Sequence, residues 1–168
     1  MFTPHITPIR NRRNQGFTLI ELMTTIIIIG ILTTVALPSL RSLIADQRVK
    51  NSAFDVMSML SITRSEALKR NTNVIASSNS GGWQSGWSVS AGSSVLSSQP
   101  AFSGLTITCK TAGAVTTCPA TITYSTNGHI SAASALPSFE ITGSGSSVVR
   151  CISIDLSGRP ISISGSCS

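Results

Sequence analysis

Residues 16–37 read Gly-Phe-Thr-Leu-Ile-Glu-Leu-Met-Thr-Thr-Ile-Ile-Ile-Ile-Gly-Ile-Leu-Thr-Thr-Val-Ala-Leu, and this stretch decides the fold. From Phe17 to Leu37 it contains one charged residue, Glu21. A helix of this length spans about 32 Å, which is enough to cross a bilayer. The first sixteen residues contain three arginines and no acid. This charge bias predicts a single-pass anchor with its N-terminus on the cytoplasmic side.

A cleaved secretory signal does not fit this segment. Such signals have an apolar stretch of about 7–15 residues followed by a small-residue cleavage site. Here the apolar run is longer, and no Ala-x-Ala site follows it closely. Glu21 is the exceptional residue, because a carboxylate inside an apolar helix requires a partner or a function. The position of Glu21 near the start of the helix lowers the cost of placing a carboxylate in this apolar segment, since the helix dipole favours an acid there.

The motif Gly16-Phe17-Thr18-Leu19-Ile20-Glu21-Leu22 resembles the processing site of type IV pilins and type II secretion pseudopilins. The resemblance implies a basic leader over 1–16, cut after Gly16 by a prepilin peptidase. It also implies N-methylation of the new N-terminus, Phe17. The apolar segment 17–37 then stays on the mature protein as a transmembrane and assembly helix. Glu21 would pair with the N-terminal amine of a neighbouring subunit during assembly.

An amphipathic continuation of the helix is predicted over 38–71. Pro38 lies at mature position 22, where many type IV pilins carry a proline, and its missing N–H predicts local melting or kinking. Apolar residues spaced by three or four predict one buried face, formed by Leu40, Leu43, Ile44, Phe54, Met57, Leu60, Ala67 and Leu68. The intervening charged residues predict a solvated face. Asn71-Thr72-Asn73 is predicted to end the helix.

The composition changes at residue 72. The segment 72–168 contains only five charged residues, namely Lys110, Glu140, Arg150, Asp155 and Arg159. Short alternating runs predict strands at Val74–Ser77, Trp87–Ser90, Leu105–Cys109, Thr121–Tyr124, Phe139–Thr142, Val148–Asp155 and Ile161–Ser164. Residues 77–86 and 91–104 are predicted as loops, and Asn127-Gly128 as a hairpin turn. The predicted fold class is α+β, with the long N-terminal helix packed on a C-terminal antiparallel β-domain.

Two segments narrow the resemblance to the FimT/GspH group of minor pilins and pseudopilins. Residues 62–70, Ile-Thr-Arg-Ser-Glu-Ala-Leu-Lys-Arg, are similar to its helix end, and 83–89, Trp-Gln-Ser-Gly-Trp-Ser-Val, to its Trp-x-x-Gly-Trp segment. The two tryptophans are also expected as core anchors. The resemblance implies a subunit held in the bacterial inner membrane, with its C-terminal domain in the periplasm, that assembles with other pilins or pseudopilins. Pro38 and the Glu66-Ala67 helix ending favour a FimT-like type IV pilus subunit, and the alternative is the H-type minor pseudopilin of type II secretion.

The four cysteines all lie in the predicted β-domain, at Cys109, Cys118, Cys151 and Cys167. That domain lies beyond the membrane, in a compartment that permits disulfides. Four cysteines allow three pairings, and sequential pairing is favoured because it closes the shortest loops. No metal site is predicted, since the spacing is not Cys-x-x-Cys. His129, the only histidine outside the leader, is interpreted as a surface loop residue.

No catalytic residue, cofactor or small-molecule substrate is predicted. The chain has no Gly-x-Ser-x-Gly nucleophile elbow. Glu140 and Asp155 are too far apart in sequence to argue for a carboxylate pair. Gly143-Ser144-Gly145-Ser146 lacks the lysine of a phosphate loop and is interpreted as a flexible hairpin connection. The sequence therefore predicts a structural protein.

DNA is a further candidate partner. Some FimT-type pilins bind DNA during natural transformation and carry a C-terminal Gly-Arg-x-Arg motif. Gly158-Arg159-Pro160-Ile161 matches its first two positions but has no second arginine. Arg159, Arg150 and Lys110 are the candidate contacts, and three cations predict only weak, salt-sensitive binding. The other interpretation of Arg159 is a turn residue that hydrogen-bonds Asp155 or a carbonyl.

Overall fold

The helix begins where a threonine can cap it. In the computed structural model, which describes residues 16–131 and 137–168, helix α1 runs from Leu19 to Arg70. The backbone N–H of Glu21 donates to the Thr18 hydroxyl oxygen over 3.3 Å. This is the expected arrangement for a threonine N-cap with an acid three residues later. Of the predicted leader, residues 1–15 lie outside the described part, and Gly16 is exposed.

The end of α1 is a left-handed cap. Asn71 has φ 49°, and the backbone N–H of Thr72 donates to the carbonyl of Ala67 over 3.3 Å. This pattern is a Schellman motif with asparagine in the position that glycine usually takes. The prediction that Asn71-Thr72-Asn73 ends the helix is confirmed.

Nine strands follow α1 in the described residues, and they form two antiparallel sheets. The strands are β1 (Val74–Ser78), β2 (Trp87–Ala91), β3 (Ser94–Gln99), β4 (Leu105–Thr111), β5 (Ala114–Thr116), β6 (Thr121–Tyr124), β7 (Ser138–Gly143), β8 (Arg150–Ile154) and β9 (Pro160–Ser164). One sheet has the order β3-β2-β1-β6 and the other β5-β4-β7-β8-β9. A 3₁₀ turn, Trp83–Ser85, precedes β2.

Seven of these strands are those predicted from alternation, with ends shifted by no more than two residues. The prediction of a loop over 91–104 is wrong at Ser94–Gln99, which forms edge strand β3. Its mostly hydroxylated sequence has little hydropathy alternation, and it is held by main-chain pairing to β2, with Ser88 opposite Ser98. Edge strand β5 was not predicted either, because its three residues are all exposed. The Asn127-Gly128 turn is present, and Tyr124 and Ile130 form a bridge across it.

The described structure divides into two compact units, which meet between Pro38 and Ser39. In the first unit the described apolar side chains between Phe17 and Leu37 are exposed. Hydroxyls of the helical threonines in this unit donate to carbonyls three or four residues earlier, so they are satisfied within the helix. Within the described residues, no single helix is long and apolar enough to cross a membrane. Taken together, the segments Leu19–Thr34 and Ala36–Arg70 are long and apolar enough to do so, by length and composition alone.

The second unit, Ser39–Ser168, has one core to which α1 and both sheets contribute. The buried helix residues are Val49, Ser52, Ala53, Val56, Met59, Leu60, Thr63 and Ala67. Trp83 and Trp87 are buried, which confirms them as core anchors. Trp83 packs edge-to-face on Phe139, with ring centroids 5.5 Å apart, and its Nε1–H donates to the Pro119 carbonyl over 2.9 Å.

The prediction of the buried helix face is partly wrong. Leu60 and Ala67 are buried and Met57 is half-buried, but the remaining predicted residues are exposed, with Phe54 at 66%. The buried stripe includes Ser52 and Thr63 instead. Their hydroxyls donate to carbonyls on their own helix, over 3.0 and 2.7 Å respectively. Because each hydroxyl is satisfied locally, both residues fit a core position that hydropathy assigns to the surface.

Two disulfides close the β-domain, and the sequential pairing is confirmed. Cys109–Cys118 links β4 to the segment after β5. Cys151–Cys167 fastens the C-terminal tail to β8. Both bridges lie in the second unit.

Candidate functional site

The predicted processing and assembly residues lie at the start of the first unit. Gly16 and Phe17 precede the helix, and both are exposed. Glu21 occupies the first turn of α1, where an acid complements the helix dipole. Within the described residues its carboxylate makes no hydrogen bond or ion pair. The side chain of Glu21 is exposed.

Pro38 lies inside α1, at the junction of the two units. Proline has no N–H, so the Thr34 carbonyl lacks its usual donor four residues later. The sequence predicts local melting or kinking at Pro38. The structure shows no melting, since the backbone stays helical on both sides of Pro38. Thr34 keeps its own hydroxyl satisfied by donating to the Ile31 carbonyl over 2.7 Å.

Two charged residues of α1 hold loops of the β-domain. The Asp46 carboxylate accepts from the Ser146 hydroxyl over 2.6 Å and from the Ser147 N–H over 3.1 Å. The hydrogen bond from Ser146 is the main cause that lowers the pKa of Asp46, although partial burial opposes it. Arg64 donates to the carbonyls of Gly128 and Ser157, over 3.0 and 3.2 Å. The predicted solvated face is therefore wrong for Asp46 and Arg64.

The loop around Ser146 makes more hydrogen bonds to the rest of the domain than the predicted flexible connection would. The interpretation of Gly143-Ser144-Gly145-Ser146 as a hairpin connection is confirmed, since it joins β7 to β8. However, the Ser144 N–H donates to the Gly104 carbonyl over 3.0 Å, and Ser146 is anchored on Asp46. These contacts fix the loop against both the helix and β4.

Gly158, the first residue of the Gly-Arg pair, has a structural role. It adopts φ 80°, and a Cβ there would overlap the Gly128 carbonyl oxygen. Its own carbonyl accepts from the Tyr124 hydroxyl over 2.9 Å. Burial raises the pKa of Tyr124 to about 12, so this hydroxyl remains a donor at neutral pH. His129 is exposed, and its Nδ1 lies 3.0 Å from the Leu156 carbonyl oxygen.

Arg159 follows that glycine and has the contacts expected of a turn residue. Its backbone N–H donates to Asp155 over 2.8 Å, and its Nε lies 3.4 Å from the other carboxylate oxygen. The hydrogen bond from the Ser157 hydroxyl is the main cause that lowers the pKa of Asp155. The Arg159 side chain is nevertheless 68% exposed. It can therefore contact an external anion while it remains beside Asp155.

The other two predicted DNA contacts lie elsewhere and are engaged within the domain. Lys110 Nζ lies 2.7 Å from a Glu140 oxygen and donates to the Ser166 hydroxyl over 2.7 Å. Arg150 begins β8, whereas Arg159 follows the other end of that strand. The Nη1 of Arg150 donates to the Ser164 hydroxyl over 2.9 Å. The structure thus does not gather Lys110, Arg150 and Arg159 into one basic patch.

Open grooves in the second unit bring together residues that sequence reasoning did not connect. One groove, of about 370 Å³, is lined by Lys50 of α1 and by Arg150 at the start of β8. Ser164 at the end of β9 and Ser166 just after it also line this groove. A second, of about 280 Å³, runs along α1 beside Arg159 and Pro160. Neither groove could be predicted from a sequence motif, because the helix residues and the strand residues that line it are about 100 positions apart. Within residues 16–131 and 137–168, no three His, Cys, Asp or Glu side chains are placed to hold a metal ion.

Comparison with known proteins gives two family matches. A family described as type II transport protein GspH matches residues 52–158. The prokaryotic N-terminal methylation motif matches residues 11–37. No curated protein matches the sequence.

Solved structures similar to this chain include two crystal forms of the type IV minor pilin FimU of Pseudomonas aeruginosa strain PAO1. The first has 22% sequence identity and a TM-score of 0.56, and the match covers 71% of this chain and 99% of that chain. The second has 21% identity and a TM-score of 0.57, with 73% and 96% covered. At these identities the likeness concerns the fold, a long helix packed on antiparallel sheets.

Proposed function

The chain belongs to the GspH family, and from that premise we propose that it is the H-type minor pseudopilin of a type II protein secretion system. The observation that carries the proposal is the family match over 52–158, which covers more than half of the chain. At the coarser level the chain is a structural subunit of the pilin or pseudopilin type, not an enzyme. Its methylation motif implies processing by a prepilin peptidase and anchoring in the inner membrane.

The proposed assembly begins with cleavage after Gly16, which leaves a free amine on Phe17. Glu21 of one subunit then pairs with the Phe17 amine of its neighbour. Two points support this role: the Glu21 carboxylate has no partner in the described residues, and a charge inside an apolar membrane helix requires one. The exposed apolar surface between Phe17 and Leu37 supports insertion in the inner membrane. The β-domain would then lie in the periplasm.

A second candidate is a FimT-like minor pilin that enters or primes a type IV pilus. It is favoured by Pro38 inside α1 and by the helix end, where Glu66 pairs with Lys69 and Arg70. Uptake of DNA belongs to this candidate. It would depend mainly on Arg159, because Lys110 is already paired with Glu140.

Deletion of the gene in its own host separates the two candidates. We expect the deletion to reduce the release of type II secretion substrates into the medium, and to leave surface pili unchanged. Complementation with Glu21→Ala should restore a processed protein but not secretion, whereas Thr24→Ala should restore both. Loss of pili with normal secretion would contradict the pseudopilin proposal and support the FimT-like pilin. Normal assembly of the Glu21→Ala protein would contradict the role given to Glu21.

DNA binding is tested on the mature full chain in detergent at low and moderate salt. A FimT-like DNA receptor should give a gel shift that weakens with salt and is lost in Arg159→Ala. Arg70→Ala is the matched control, since Arg70 is also exposed and ion-paired but lies at the end of α1. The pseudopilin proposal expects no Arg159-dependent shift at either salt concentration.

A further inference from the structure

The groove between α1 and the β8–β9 pair is lined by two cations and several hydroxyl groups. Lys50 comes from α1, Arg150 from the start of β8, and Ser147, Ser164 and Ser166 from the surrounding loop and strand ends. The groove measures about 370 Å³ and is open to solvent. Nothing in the proposed assembly of the helical segment accounts for it.

Arg150 is held in a fixed orientation. Its Nη1 donates to the Ser164 hydroxyl over 2.9 Å, and Ser164 lies opposite it across the β8–β9 pair. Its Nε is buried and has no hydrogen-bond partner in the described residues. The second terminal nitrogen, Nη2, makes no hydrogen bond to a described residue either. A guanidinium positioned in this way presents N–H groups to the groove with little loss of side-chain freedom on binding.

Within the described residues neither groove cation forms an ion pair, although Lys50 acts on Asp46 one turn away and helps to lower the pKa of that carboxyl. Lys69, Arg70, Lys110 and Arg159 each lie within 4 Å of a carboxylate, but Lys50 and Arg150 do not. Asp46 lies one turn before Lys50, and its carboxylate already accepts from Ser146 and Ser147. Asp55, which has no ion pair, lines a different groove together with Arg48. From Ser39 onwards the chain has nine Lys and Arg residues against five Asp and Glu residues, so its net charge there favours an acidic partner.

We propose that this groove binds a carboxylate side chain of a neighbouring pilin-type subunit, an inference that rests on the proposed filament function. A guanidinium and an ammonium group together form a usual recognition pair for a carboxylate, and the Ser147 hydroxyl adds a donor beside them. Ser147, which lines the groove, already shows the same chemistry, because its backbone N–H donates to the carboxylate of Asp46. Charge complementarity thus identifies the occupant as an Asp or Glu on the adjacent subunit.

The first test measures binding of a simple carboxylate to the mature full chain in detergent micelles. Acetate should shift the Arg150 Nε–H signal in an NMR titration at low ionic strength. Lys50→Gln should weaken the apparent affinity about threefold or more, and Lys69→Gln, an exposed lysine at the end of α1, should not change it. Absence of a shift would overturn the proposal, as would inorganic phosphate that binds more than about tenfold more tightly than acetate.

The second test identifies the occupant in cells. A photocrosslinking amino acid at Ser147 should form a product with another pilin-type subunit, and the linked peptide should contain an Asp or Glu. Lys50→Glu should lower the assembled fraction about tenfold, and changing the mapped acid to Lys should restore it. Lys69→Glu is the control for added negative charge. Equal effects of Lys50→Glu and Lys69→Glu, or no rescue by the swap, would overturn the proposal.

Folding and function are controlled separately. Lys50 is half-buried and makes no hydrogen bond or ion pair with a described residue, so its variants should keep nearly the wild-type melting temperature, and Arg150→Lys should retain partial acetate binding. A wild-type chain that enters no filament, but whose Arg150 signal responds to acetate, would contradict the proposed function and the identity of the occupant. A wild-type chain that assembles normally but shows no acetate response would overturn the groove proposal alone.

Discussion

The two halves of α1, on either side of Pro38, differ in what covers their side chains. From Leu19 to Pro38 every described side chain is exposed, although this is the most apolar part of the chain. From Ser39 to Arg70 a stripe between Val49 and Ala67 is buried in the core of the second unit. Charged residues of the second half, Asp46 and Arg64, also hold loops of the β-domain.

This difference shows that hydropathy and burial are separate properties in this molecule. The buried stripe includes Ser52 and Thr63, whereas a long run of isoleucines has no partner in the described chain. The second half of α1 is therefore stabilised by its own domain, and in the proposed assembly the first half lies in the bilayer or against neighbouring helices. It follows that substitutions in the two halves should act on different measurements.

The largest effect is expected for Leu60→Ala, which truncates a fully buried side chain of the second half. The loss of packing and the remaining cavity should lower the free energy of unfolding by about 2–5 kcal/mol. Ile28→Ala, the matched change in the exposed half, should alter it by less than about 0.5 kcal/mol. Urea unfolding of the mature chain in detergent, followed by the fluorescence of Trp83 and Trp87, measures both. Similar losses for the two variants would contradict the separation of the halves.

A somewhat smaller effect is expected from removal of the bridge that fastens the C-terminal tail. Cys151 and Cys167 are 16 residues apart, and a loop of this size contributes roughly 3 kcal/mol in the chain-entropy model. The double variant Cys151→Ser, Cys167→Ser should therefore lower the free energy of unfolding of the second unit. The Cys109–Cys118 loop is shorter, at 9 residues, so its double variant should lose slightly less. A larger loss for the shorter loop would contradict this order.

Much of the fold could be predicted because local patterns determined it. The helix end at Asn71-Thr72-Asn73 and the alternating strands are each set by a few adjacent residues. The cysteine pairing followed from loop length alone. Strand β3 was missed because its polar sequence carries no alternation, and it depends on pairing with β2. The buried face of α1 was partly misassigned because Phe54 and Leu68 are apolar but lie away from the sheets.

The candidate sites could be predicted only where a linear motif marks them. Gly16, Phe17 and Glu21 form such a motif, and the methylation match includes them. The Asp46–Ser146 contact and the groove of Lys50 and Arg150 join residues about 100 positions apart. No spacing in the sequence encodes these contacts, since they arise from how α1 lies on the β7–β8 loop.

A moderate effect is expected for Arg64→Met, which keeps most of the apolar stem but removes two hydrogen bonds. The carbonyls of Gly128 and Ser157 would lose their guanidinium donor. Hydrogen bonds to a charged group contribute about 1.5–3 kcal/mol, so a loss near the lower end of this range is expected. Arg48→Met, an exposed arginine on the same half of α1, should change the free energy of unfolding by less than about 0.5 kcal/mol. Equal values for the two variants would show that Arg64 does not hold these loops.

The smallest effect is expected for two aspartates in the second half of α1, Asp46 and Asp55. Ionisation of these two side chains should change the stability of the fold in opposite directions. Hydrogen bonding from Ser146 lowers the pKa of Asp46, whereas burial raises the pKa of Asp55. The stabilisation from Asp46 is therefore complete above the ordinary aspartate pKa, about 3.9, and is lost as the pH falls through its lower folded value. The destabilisation from ionised Asp55 is complete well above its raised folded value and disappears as the pH falls through it.

Melting temperatures of Asp46→Asn and Asp55→Asn between pH 7 and pH 3 should separate these contributions. At pH 7, Asp46→Asn should melt below the wild type and Asp55→Asn at or above it. Both differences should shrink as the pH falls, that of Asp55 at higher pH than that of Asp46, because the pKa of Asp55 is raised and that of Asp46 is lowered. If Asp46→Asn melted at or above the wild type at pH 7, the Asp46 contact would not be what fixes α1 to the β7–β8 loop. The second half of the helix would then be held by apolar packing and by the hydrogen bonds of Arg64, which the Leu60→Ala and Arg64→Met measurements quantify separately.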